Sequence, residues 1–266
     1  MIVLKSAREI ALVRAGGRIL AEAMAMLRDL VKPGVSTQEI DREVEALIAR
    51  RGARPAFKGY RGFPATVCTS INEEVVHGIP SPSRRLREGD IIGLDLGVIV
   101  DGYYADAAFT LAVGEVPPEV RCLIEVTRES LDLGIAQARP GNRLGDISHA
   151  IQRYVEGHGF SVVRAFVGHG IGRELHEDPQ IPNFGEPGRG PLLKPGMVLA
   201  IEPMVTMGRP EVRILEDRWT AVTQDGSLSA HFEHTIALTA TGPVILTVPD
   251  GGPDGPRGTA EREQDA

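Results

Sequence analysis

The chain holds only two cysteines, Cys68 and Cys122, in 266 residues. Two thiols build no disulfide framework and cannot form a cysteine metal site alone, which fits a reducing compartment. Long apolar runs are missing too, and none is long enough to span a bilayer. At the amino terminus Lys5, Arg8 and Glu9 break the apolar residues too early for a secretion-signal core. Positive charge is not in excess: 36 acidic residues against 29 Lys and Arg give a formal net charge of −7. Neither nucleic acid nor an anionic membrane is therefore an expected partner. After Val248 no large apolar residue occurs, and 249–266 is expected to be a disordered tail. A soluble, cytoplasmic protein is the expectation.

The composition that remains, 42% hydrophobic and 24% charged, is that of a globular chain. Its organising stretch runs from Leu86 to Asp106. Ile91 to Val100 is apolar and β-branched, Asp101-Gly102 is a two-residue turn signal, and Tyr103 to Val113 runs back. Side chains alternate along a strand, so Asp95 shares a face with Gly93 and Gly97, which leaves open space above it. Asp106 comes opposite Asp95 across the turn. Two carboxylates held together repel, and a divalent cation is their usual partner; solvated strand acids are the plainer reading of this pair alone.

Around the hairpin the chain reads as helices and short strands. Ser6 with Glu9, and Ser36 with Glu39, are capping boxes. The first opens a helix to Val31, weakened at Gly16-Gly17; the second opens a helix ending at Gly52. Pro117-Pro118 starts a third helix, stopped by Arg139-Pro140-Gly141, and a fourth ends near Gly157. Strands are expected at Thr66 to Ser70, at Val162 to Phe166, at Met197 to Thr206 with Glu202 inside it, and near Val244 to Val248.

The two halves repeat. Pro33-Gly34 recurs as Pro140-Gly141, Ile40 as Ile147, and Leu86 to Gly89 as Leu193 to Gly196, all at a spacing of 107 residues. The same shift carries Asp95 onto Glu202. Two related halves, about 1–113 and 114–248, would bring these acids together near a pseudo-twofold axis, with a ligand in the cleft between.

Asp95, Asp106, His169, Glu202 and Glu233 then form one constellation. Four carboxylates and an imidazole suit two divalent cations with bridging oxygens, and the mixture favours manganese, iron, cobalt or zinc over an all-oxygen magnesium or calcium cage. Two metals roughly 3.5–4 Å apart can hold a bridging water and lower its pKa. His77 and His176, one in each half, are packed loop residues if read singly; as a pair beside a metal cluster they are candidates to contact a scissile amide. His231 and His234 flank Glu233 and are read as structural or as partners behind the ligands, with His231 on the Glu233 face. His149 and His158 are read as surface residues. The single tryptophan, Trp219, is either a partly buried anchor or, with Phe57, Tyr60, Phe63 and Cys68, the wall of an apolar pocket.

In this order the motifs Gly59-Tyr-Arg-Gly-Phe-Pro64, Cys68 to Glu74, Val76 to Pro80, Gly168-His-Gly-Ile-Gly172, His176 to Pro179, Ile201-Glu-Pro203 and Phe232-Glu-His-Thr235 resemble the type I methionine aminopeptidases. The resemblance runs from about Ser6 to Val248. It implies an α+β pita-bread fold, an antiparallel sheet with helices on its outer face, as one catalytic domain over 1–248. It implies removal of the initiator methionine from nascent chains, met at the ribosome, by a monomeric enzyme using a hydroxide bridging two metals. Asp95 would bind one metal, His169 and Glu202 the other, and Asp106 and Glu233 both. Glu202 would also shuttle a proton, His77 and His176 would contact the substrate amide, and Tyr60, Phe63, Cys68 and Trp219 would line the methionine pocket. Phe57 stands where many relatives carry cysteine, and Leu175 where an aromatic is common, so both reshape that pocket. Two other readings share the fold: an Xaa-Pro aminopeptidase or prolidase, and a non-catalytic binding scaffold.

Overall fold

The computed structural model describes residues 1–249; the tail expected at 249–266 lies, apart from Pro249, outside them. Both capping boxes form. Ser6 and Glu9 start helix α1 (Ala7–Leu30), and Ser36 and Glu39 start α2 (Thr37–Arg50). Each satisfies amide groups that a helix leaves open at its first turn. Pro118, whose fixed φ suits a first helical position, opens α3 (Pro118–Gln137), and α4 spans Leu144–Gly157.

Gly16-Gly17 does not weaken α1. The helix runs through both residues because they let it approach the sheet: a Cβ on Gly16 would lie 3.1 Å from Ala105 Cβ, and one on Gly17 would collide with the Leu246 carbonyl. Val13, Leu20 and Leu27 continue that buried stripe.

A nine-stranded antiparallel sheet carries the helices over a continuous apolar core. Its centre is the expected hairpin, Ile91–Val100 with Tyr103–Ala112, turning at Asp101-Gly102. Both turn residues have positive φ, 48° and 80°, as a tight hairpin of this kind requires. Tyr103–Ala112 then pairs with Glu233–Thr239, where Glu233 faces Ala108; this seam joins the two halves.

The repeat is visible in the backbone. α4 follows α2 at the spacing of 107 residues found in the sequence. The isolated bridge Ser36–Arg85 recurs as Arg143–Leu192, and the hydrogen bond from Leu86 N to Val35 O recurs from Leu193 N to Asn142 O. The match breaks where Met197 to Thr206 was expected as one strand. Val198–Ile201 belongs to the large sheet, whereas Met204–Thr206 joins a separate three-stranded sheet with Ser229–His231 and Ser161–Val162. Glu202-Pro203 is the gap between them. Proline cannot donate to a ladder, so the strand changes sheets there. Of the strand expected over Val162 to Phe166 only Ser161–Val162 forms, and the last strand is Gly242–Ile245.

Candidate metal centre and substrate pocket

The hairpin places its acids diagonally rather than directly opposite. Asp95 pairs with Ala108, and Asp106 pairs with Gly97. They still share a face, close enough for each carboxyl to act on the charge of the other. The expected open space above Gly97 is filled: a Cβ there would lie 2.8 Å from Ala56 Cβ and 2.7 Å from the ring of Phe57. Gly93 meets ordinary contacts with Ser70 and Thr110.

Asp106 is fixed from the other half, since Thr235 Oγ1 accepts its N–H at 3.0 Å and donates to its carbonyl at 2.7 Å. His169 comes from the short strand Gly168–Gly170. Its Nδ1 lies 2.9 Å from the Gly170 carbonyl, which leaves Nε2 facing the acids. Nε2 is 3.6 Å from Glu202 Oε1 and 4.0 Å from Asp106 Oδ2. Donor atoms of Asp106, His169 and Glu233 all fall within 4.8 Å of one another, and all three residues are buried. Glu202 and Asp95 complete the ring while keeping some surface toward the cavity.

Such a group of acids is unfavourable without a counter-charge. Burial raises the Asp95 carboxyl to about 7 and that of Glu202 to about 8. Burial, then the neighbouring carboxylates, hold Asp106 and Glu233 well above the ordinary range. Asp95 Oδ1, Asp106 Oδ1 and Glu233 Oε1 are buried with no hydrogen-bond partner. Orphaned oxygens beside a free imidazole nitrogen are a donor set that fits divalent cations.

Above the acids opens a cavity of about 290 Å³. Tyr60, Phe63, Cys68, His77, His176 and Trp219, all singled out in the sequence, line it, as do Phe57 and Leu175. Cys68 is the cross-strand partner of Asp95. Phe63 meets Trp219 edge-on with centroids 5.1 Å apart. Trp219 is presented by a tight turn in which Asp217 accepts the N–H groups of Trp219 and Thr220. His77 has φ 63°, a backbone state costly for a non-glycine residue. Burial, followed by the charges of His231 and His176, lowers its pKa to about 4. His176 is lowered by burial and by Arg61, and its Nδ1 is 2.9 Å from Tyr60 OH. Burial holds His169 near 4 as well.

Two lining groups, Phe166 and Arg61, carry no site signal in the sequence, and a third residue, His231, carries only a weak one. Phe166 packs edge-on against His77 at 5.5 Å, but nothing in the sequence marks it beyond aromatic character. Arg61 stacks over Tyr60 at the rim, and its φ of 49° is a local sign no sequence pattern gives. His231, read from the sequence as structural or as a partner behind the ligands, is buried with Nε2 3.6 Å from Glu202 Oε2. It reaches the acids as alternation expects, although the chain is interrupted at Phe232, between Ser229–His231 and Glu233–Thr239. His158 is exposed as expected, whereas His149 is half-buried with Nδ1 3.3 Å from the Gly185 carbonyl. Among the described residues no helix is long and apolar enough to cross a membrane.

The comparisons with known proteins agree with this geometry. The profile of metallopeptidase family M24 matches residues 11–240. A methionine aminopeptidase of Clostridium acetobutylicum is 56% identical over 248 residues, covering 93% of this chain and 99% of its own. The crystal structure of methionine aminopeptidase from Thermotoga maritima superposes with a TM-score of 0.92 at 49% identity, over 93% of this chain and all of that one. The prolidase from Pyrococcus furiosus is more distant, with a TM-score of 0.73 at 25% identity, over 92% of this chain and 65% of its own. The fold is thus the expected pita-bread arrangement, with two pseudo-symmetric halves closing on a cleft. A ring of acids and one imidazole beneath an apolar pocket, on this fold and with these relatives, leads to one conclusion: the chain belongs to metallopeptidase family M24.

Proposed function

We propose that the chain, as a single catalytic domain over 1–248, removes the N-terminal methionine from newly made polypeptides. The observation that carries the reading is the convergence of Asp106, His169 and Glu233 donor atoms within 4.8 Å at the floor of an apolar pocket. Asp95, Asp106, His169, Glu202 and Glu233 would hold two divalent cations, drawn from cobalt, manganese, iron and zinc. Cations in such a site lower the pKa of a bound water and polarise a carbonyl.

The protein's own groups supply the rest. Phe57, Phe63, Cys68 and Trp219 receive an unbranched apolar side chain and exclude water around it. His77 and His176 donate hydrogen bonds to the scissile amide and to the oxygen that gains charge. Their lowered pKa values keep both imidazoles neutral at pH 7, and the Tyr60 hydroxyl on His176 Nδ1 leaves Nε2–H as the donor. Glu202, with its carboxylate beside His169 at the cavity floor, accepts a proton and returns it to the leaving amine. We place the enzyme in the cytoplasm as a monomer that meets its substrates at the ribosome.

The test is hydrolysis of Met-Ala-Ser and of Xaa-Pro peptides by protein loaded in turn with cobalt, manganese, iron and zinc. Release of methionine from Met-Ala-Ser, lost in Asp106→Asn together with bound metal, is expected. Preference for Xaa-Pro peptides would replace this reading with the prolidase one, and hydrolysis by neither would favour a binding scaffold.

A further inference from the structure

The strand pair that carries Asp106 in the first half has a counterpart in the second. Gly97 stands opposite Asp106, and Met204, one repeat spacing after Gly97, stands opposite His231. The threonine supports match as well. Thr235 Oγ1 accepts the Asp106 N–H and donates to the Asp106 carbonyl, while Thr110 Oγ1 accepts the His231 N–H and donates to the His231 carbonyl, each at 2.9 Å. His231 is therefore the pseudo-symmetric mate of Asp106. As Asp106 faces Asp95, so His231 faces Glu202, the acid that the repeat relates to Asp95.

Besides acting on the charges of Asp95 and His77, the His231 side chain has one carboxylate within reach, Glu202. The residue is 3% exposed, and its Nε2 is buried with no hydrogen-bond partner. An unpaired buried nitrogen is costly, so it persists where something uses it. Glu202 Oε2 is 3.6 Å from this nitrogen, and Glu202 Oε1 is 3.6 Å from His169 Nε2. The carboxylate is flanked by two imidazoles, one to each oxygen.

We propose that His231 is a positioning residue for Glu202: its Nε2–H holds Glu202 Oε2, so that Oε1 alone is presented beside His169 to a divalent cation. The inference rests on reading Glu202 as a ligand. The gap exceeds a hydrogen bond by about half an ångström, which a small turn of ring or carboxylate closes. Both backbone groups of His231 are pinned by Thr110, so the ring is carried on a fixed support. Partners behind a ligand of this kind fix its orientation and raise metal affinity.

Calorimetric titration of metal-stripped protein with Co²⁺, followed by the visible spectrum at saturation, tests the assignment on wild type, His231→Leu, His231→Asn and His231→Gln. Leu, which donates nothing, weakens cation binding about 10-fold or more. Gln, whose amide reaches as far as Nε2, restores affinity to within about 3-fold, and its saturated Co²⁺ spectrum matches wild type. Asn, one methylene shorter, behaves as Leu; the Asn–Gln contrast carries the test should the Leu variant not fold. Wild-type affinity in both Leu and Asn variants would overturn the proposal. So would a Gln variant as weak as Leu with shifted Co²⁺ bands, since that makes the imidazole itself a ligand. Failure of the wild-type protein to bind Co²⁺ would instead remove the functional reading beneath it.

Discussion

Phe57 occupies the space that a side chain on Gly97 would need: a Cβ there would lie 2.7 Å from Phe57 Cε1. The ring is 7% exposed and forms one wall of the cavity above the acids. Gly97→Ala should therefore push the ring into the pocket and raise KM for Met-Ala-Ser about 10-fold with bound metal unchanged. Phe57→Ala should have the opposite geometry, accepting bulkier first residues and losing about 10-fold in discrimination for methionine over them. Steady-state kinetics on a peptide series with a varied first residue checks both. An unchanged preference in Phe57→Ala would take this residue out of the specificity wall.

His77 and His176 reach the cavity from different halves, and neither belongs to the acid cluster. Alanine at either position should lower kcat about 10²- to 10³-fold, the usual loss for a donor to developing negative charge. Metal content, measured by plasma emission, should stay at the wild-type value. Tyr60→Phe, which removes only the hydroxyl on His176 Nδ1, should cost about 5-fold, near the worth of one hydrogen bond. Loss of metal in His77→Ala or His176→Ala would recast that histidine as a ligand.

The metal-stripped protein should respond to pH in an unusual direction. Asp95, Asp106, Glu202 and Glu233 all have folded-state pKa values above those of an unfolded carboxyl. The folded state then binds more protons than the unfolded one, and stability rises as pH falls from about 8 to about 6.5. Below about 6.5 the histidines oppose this, because His77 and His169 titrate near 4 when folded and take up protons only on unfolding in that window. Melting in chelator across pH 5 to 9 should show a Tm that climbs down to about 6.5 and then levels. Added divalent cation should raise the alkaline side most. A Tm in chelator that climbs from pH 6.5 to 8 would contradict the burial of these acids.

Gly17 offers a sign test of packing. In an ordinary helix interior Gly→Ala stabilises by about 1 kcal/mol. Here the new methyl would strike the Leu246 carbonyl, which is backbone and cannot swing away. Gly17→Ala should destabilise by about 1–3 kcal/mol in denaturant unfolding. Gly157→Ala, at the end of α4 with nothing within 4 Å of its Cβ, should be neutral or slightly stabilising.

What the sequence made legible was local or repeated. The hairpin announced itself because Asp101-Gly102 interrupts a long β-branched run, and the helices did so because Ser6/Glu9 and Ser36/Glu39 are caps complete within four residues. The pairing of Asp95 with Glu202 needed no local signal, only the repeat. The features that stayed hidden depend on what lies across the fold. Gly16-Gly17 looks like a helix defect until the sheet behind it is known. The open face above Asp95 could not reveal that Phe57, forty residues upstream of Gly97, folds back over it. The split after Ile201 was marked by Pro203, a residue that argues against a continuous ladder, yet the change of sheet is a tertiary event. Alternation put His231 on the Glu233 face, but that its nitrogen meets Glu202 depends on the change of sheet at Phe232, which counting residues cannot show.

After Met204, the repeat mate of Gly97, the second half admits a stretch with no equivalent in the first, the hairpin of Val212–Ile214 and Ala221–Thr223. Its second strand pairs with Glu74–Val76, immediately before His77, and the turn between its strands delivers Trp219 opposite Phe63. One wall of the pocket is thus supplied by an asymmetric addition, while the acids sit on the duplicated frame. Such a division lets the Trp219 wall change shape without moving the strands that hold the acids.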